Sequence, residues 1–75
     1  MQKDIILTLI REKQAELPFV LESQTVAELM GTSRNTVYMK LRKGEIPGAK
    51  NIKGIGWRIN RDLFLAWLYC QEVEN

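Results

Sequence analysis

Ala27, Gly31 and Val37 constrain this chain more than any other residues, because their spacing suits two short helices joined by a tight turn. Ala27 is small, so a second helix can approach it closely. Gly31 tolerates the positive φ that a sharp turn needs, and Val37 is a β-branched plug over which both helices close. Glu22 or Ser23 can open the first helix, whose inner face is Val26, Ala27, Leu29 and Met30, and Gly31 ends it. After Thr32, Ser33 is a good N-cap for a second helix over residues 34–43, which Gly44 closes. Residues 23–43 therefore carry helix-turn-helix spacing.

Upstream, Ile6, Leu9, Ile10 and Leu17 fall on one face at helical spacing, with the aliphatic stem of Lys13 filling the gap. This predicts an N-terminal helix ended by Pro18, so that residues 1–17 form a unit packed on the rest of the chain or on a partner. Phe19, Val20 and Leu21 follow as a short extended run expected to cover the core. Downstream, Ala49–Ile52 and Trp57–Ile59 are strands of a hairpin over residues 49–59, turning at Gly54-Ile55-Gly56. Asn60 caps a last helix over residues 61–73. That helix is apolar nearly all round: Phe64, Trp67 and Leu68 share one face, and Leu65, Tyr69 and Val73 another. The Ile6, Leu9, Ile10 stripe is expected to cover the second face, preferably within the monomer. Trp57 and Trp67 are expected as core anchors rather than platforms for stacking.

With 75 residues the chain fits one domain, here residues 18–75, behind the N-terminal helix. The apolar run Ile5–Ile10 is too short for a signal-peptide core or a membrane span, so a cytoplasmic protein is expected. Histidine is absent, and Cys70 is the sole cysteine, expected as a plain core thiol. No carboxylates pair on a shared face. Metal, cofactor and enzymatic chemistry thus lack their usual residues, and none is expected. Gly54-Ile55-Gly56 is no nucleotide loop, because the remaining glycine and a following P-loop lysine are missing.

Net charge is only +2, yet residues 33–61 hold eight cations against the single acid Glu45. Helical geometry sorts the second helix of the pair at about 100° per residue. With Val37 at the centre of the buried side, Leu41 lies nearby and Tyr38 and Arg34 border it, whereas Asn35, Thr36, Met39, Arg42 and Lys43 face outward. Such a face suits duplex DNA. Asn35 can pair bidentately with adenine, Thr36 and Met39 can touch a thymine methyl, and Lys40, Arg42 and Lys43 can meet phosphates or guanine. Ser33 and the free amides beside Arg34 are placed to hold a phosphate. Lys50, Lys53 and Arg58 sit on or beside the hairpin, whose glycines let its tip approach a sugar-phosphate wall.

Read together, Thr25-Val26-Ala27-Glu28-Leu29-Met30-Gly31, Ser33-Arg34-Asn35-Thr36-Val37-Tyr38, Gly44-Glu45-Ile46-Pro47, Trp57-Arg58-Ile59 and Phe64-Leu65-Ala66-Trp67-Leu68 resemble the excisionase and AlpA-like group of small winged helix-turn-helix proteins, relatives of the MerR DNA-binding domain. The resemblance spans roughly residues 21–68. It implies a mainly α fold with a small β-hairpin, a winged helix-turn-helix with an extra N-terminal helix. It also implies a helix in the major groove and the hairpin wing near the minor groove. Proteins of this group act as recombination directionality factors beside an integrase, or as small regulators that meet RNA polymerase, so double-stranded DNA is the expected partner and self-association on DNA a further one. A protein–protein adaptor in a packaging or replication complex is the alternative of another class. Two departures stand out: Glu22 occupies a position where a capping Thr is common, and the helix before Pro18 lies outside the shared pattern.

Overall fold

In the computed structural model, which describes residues 2–71, the order is α1 (Gln2–Glu16), β1 (Val20–Leu21), α2 (Ser23–Met30), α3 (Arg34–Arg42), β2 (Ala49–Ile52), β3 (Gly56–Asn60) and α4 (Arg61–Gln71). The fold is a mostly helical winged helix-turn-helix whose small antiparallel sheet has the order β1-β3-β2. Gly31 ends α2 at φ 69°, the left-handed region where a Cβ is penalised, and its amide returns to α2 carbonyls. Three residues, Gly31, Thr32 and Ser33, thus separate the two short helices.

The core collects Leu21, Val26, Ala27, Val37, Leu41, Ile46, Ile59, Phe64 and Leu65, all buried. Val26 and Ala27 face Val37 and Leu41 across the helix pair, as their spacing requires. Trp57 and Trp67 are half-buried and pack against this core, with the Phe64 and Trp67 rings 6.0 Å apart. Asn60 caps α4 through its side-chain oxygen, which accepts from the Leu63 amide at 2.9 Å. Residues 72 and 73 of the expected last helix lie outside the described residues.

Three expectations need correction. The run Phe19-Val20-Leu21 was to cover the core, but only Leu21 is buried, while Phe19 and Val20 are exposed. The physical reason is strand alternation: Val20 and Leu21 pair with β3 as a third strand, and neighbouring side chains on a strand point to opposite faces. Leu9 is also exposed, although α1 does pack against α4. Ile6, Ile10, Gln14 and Leu17 lie close to one line on a helix of 3.6 residues per turn, and Leu9 stands about 100° off that line. Cys70, finally, is exposed, not a core thiol. Phe64 and Leu65 are both fully buried, so the two inner faces of α4 are occupied and Leu63, Ala66 and Cys70 form its outward stripe.

Arg61 ties α1 to the rest. Its Nη1 donates to the carbonyls of Gln14 and Leu17 at 3.0 and 3.1 Å, which satisfies acceptors left over at the end of α1. Its Nε donates to Asp62 Oδ1 at 2.9 Å, and Gln14 Nε2 donates to the same oxygen at 2.8 Å. The guanidinium also lies 5.4 Å from the centre of the exposed Phe19 ring.

The Arg61 hydrogen bond, followed by that from Gln14, holds the Asp62 carboxyl below the usual carboxylate range, against a smaller opposing effect of desolvation. A depressed folded-state value means that the contribution is complete above the unfolded value of about 3.9 and is lost as pH falls through the folded one. Thermal melts from about pH 5 down to about pH 2 should therefore show a steeper loss of stability in the wild type than in Asp62→Asn. Parallel profiles would show that this carboxylate does not help to fasten α1.

Candidate nucleic-acid interface

Ser33 sets the start of α3. Its backbone is extended, and its Oγ accepts from the Thr36 amide at 3.2 Å and lies 3.0 Å from Thr36 Oγ1. Both hydroxyls are engaged in the cap, and Thr36 is half-buried rather than fully outward. From this start, Val37 and Leu41 anchor the inner face at 0% and 3% exposure. Arg34, Asn35, Met39, Arg42 and Lys43 are exposed, and Lys43 serves as the C-cap. Lys40 differs from them. It stands about 60° from the inner centre line, is half-buried, and pairs with Glu45 at 3.5 Å.

The hairpin brings its own cations. Lys50 and Arg58 are cross-strand partners, and alternation puts them on the face of the sheet opposite Ile59. Arg58 Nη1 donates to the Trp57 carbonyl at 2.7 Å, which steadies the half-buried guanidinium. Lys53 is exposed in the hairpin turn.

Helix α3 and the hairpin meet at a cleft of about 180 Å³ lined by Arg34 and Tyr38 from α3, by residues 55–58, and by residues 22–24. Arg34 and Arg58 are thus brought together, while Asn35, Met39, Arg42, Lys43, Lys50 and Lys53 lie outside this cleft. Tyr38, Gln24 and Ile55 also line it, and the sequence does not single them out. Tyr38 carried one signal, its border position about 100° from Val37. Glu22 lines the cleft too and gives α2 no side-chain cap, so an acid sits beside two arginines without an ion pair within 4.0 Å among the described residues.

Among the described residues no three His, Cys, Asp or Glu side chains are grouped to hold a metal ion, and no helix is long and apolar enough to cross a membrane. A tightly turned helix pair, an exposed cationic α3 and a basic hairpin at its side define a winged helix-turn-helix DNA-binding protein. The family model for a helix-turn-helix domain matches residues 20–68, and the chain belongs to this family of small excisionase/AlpA-like DNA-binding domains. It is a DNA-binding family, not an enzymatic one. No match to the chain was found among curated proteins or among solved structures.

The cap at Ser33 fixes where α3 begins, and removing it leaves an amide without its acceptor. Ser33→Ala should lower stability by about 1 kcal/mol in urea denaturation. An unchanged midpoint would show that the α3 start is held by packing alone.

Proposed function

We propose that the chain is a sequence-specific double-stranded DNA-binding protein of the excisionase kind, a recombination directionality factor that binds near element ends and assists an integrase. The observation that carries the DNA contact is the cleft lined by both Arg34 of α3 and Arg58 of the wing, which sets a cation of each element on one lining, beside Glu22. On this reading α3 enters the major groove. Asn35 pairs with adenine, Met39 and the Thr36 methyl meet thymine methyls, and Arg34, Arg42 and Lys43 hold phosphates or guanine, while Lys40 stays on Glu45. Ser33 and the first amides of α3 face a phosphate, and Lys50, Lys53 and Arg58 follow the adjacent backbone. The site of action is then the bacterial cytoplasm, on the nucleoid.

Recombination is the finer part of the proposal. A single module of this size covers roughly 600 to 1,000 Å² and reads few bases, so several copies on adjacent sites are needed. Helix α1 lies outside the family match, and its exposed Ile5 and Leu9, one turn apart on the same face, offer an apolar surface for contact between neighbouring copies or with the integrase. Footprinting on the element's ends, together with an excision assay containing the integrase, tests this role. Protection over a promoter with no effect on excision would replace it with transcriptional regulation through RNA polymerase. Binding to an acidic protein partner with no protection of DNA would favour an adaptor.

Salt titration tests the interface itself. Log affinity should fall with log salt at a slope of about −4 to −6. Lys43→Ala should weaken all sequences alike and make the slope shallower, whereas Asn35→Ala should relax preference at one base position by roughly 1 to 3 kcal/mol. Equal loss on every sequence for Asn35→Ala would remove it as a base reader.

A further inference from the structure

We infer that Ile55, at the tip of the wing, is an apolar wedge that enters the minor groove beside the site read by α3; this rests on the placement of α3 and the wing proposed above. Ile55 is 58% exposed, an unusual place for a β-branched residue of its size. The turn does not need its side chain. Closure comes from the Ile55 amide donating to the Ile52 carbonyl at 3.0 Å, and the positive φ of 84° falls on Gly54. A Cβ added at Gly54 or Gly56 would meet nothing within 4 Å, so no protein neighbour crowds the glycines on either side of Ile55. Yet the tip is not remote from the interface, because Ile55 lines the cleft that joins Arg34 to Arg58.

Charge complementarity identifies the occupant. In the chain Ile55 stands between Lys53, exposed in the same turn, and Arg58, which shares the cleft lining with Ile55 and with the single acid Glu22. The minor groove concentrates negative potential where it is narrow, which draws such cations in. Apolar side chains that reach its floor part a base step and kink the duplex, most readily at flexible pyrimidine–purine steps. A polar loop tip would suit simple backbone contact; an isoleucine between cations suits this wedge. The consequence is selectivity at a step outside the α3 contacts, read through deformability.

The intact chain is used to select duplexes from a random library, and the selected duplex is then titrated by fluorescence anisotropy with the wild type, Ile55→Ala, Lys53→Ala and Lys43→Ala. Ile55→Ala should bind about tenfold more weakly, as expected for losing a buried branched side chain. Its salt slope should stay at the wild-type value, because an apolar contact releases no counterions, whereas Lys53→Ala should make the slope shallower. Selection repeated with Ile55→Ala should lose the pyrimidine–purine step preference, and end-to-end energy transfer should report less bending. Its melting temperature should match the wild type, since the side chain is exposed. Wild-type affinity and step preference in Ile55→Ala, with Lys43→Ala still impaired, would overturn the wedge and leave the interface standing. No effect from any of the three substitutions would overturn the interface as well.

Discussion

Ile59, fully buried in the middle of β3, is where the wing and the helix pair become one body: it registers with Leu21 of β1 on one side and with Ala49 of β2 on the other. A lone two-stranded hairpin is marginal in water. Here the central strand has a partner on both edges, packs on α2 and continues directly into α4. The wing therefore inherits its orientation from the core, and Arg58, next to Ile59 in the strand, is delivered to the cleft beside Arg34. Loss of packing at Ile59 would separate the two elements that line this cleft.

The helix pair was legible in the sequence because its determinants are local. Ala27, Gly31, Ser33, Val37 and Gly44 each act within one or two turns of their own position, and the structure uses them as their chemistry suggests. The hairpin was legible for the same reason. The extended backbone after Pro18 was legible too, but its pairing as strand β1 was not, because two residues carry no period and their partners are about forty positions away in the chain. The packing of α1 on α4 was legible from the apolar second face of α4, but not which residues line that seam. Leu9 and Ile10 are equally apolar, and only the partner helix decides which of them turns inward.

Charge was legible as a total for the segment but not by role. Arg61 closes the basic block of the sequence, yet its guanidinium is committed to the carbonyls at the end of α1 and to Asp62. Lys40 is likewise paired, with Glu45. The cations that remain open to a polyanion are fewer than the sequence count, and they are grouped at the two ends of α3 and along the wing. Glu22 adds an opposing charge inside the cleft, a feature visible only once α2 and β3 are seen side by side.

Lys50 and Arg58 face each other directly across β2 and β3. Two like charges in that position work against the pairing, so the register of the hairpin carries a built-in repulsion. An anion lying between them turns that repulsion into attraction for both. A polyanion bound along this face, as proposed, would therefore remove a cost that the hairpin otherwise carries.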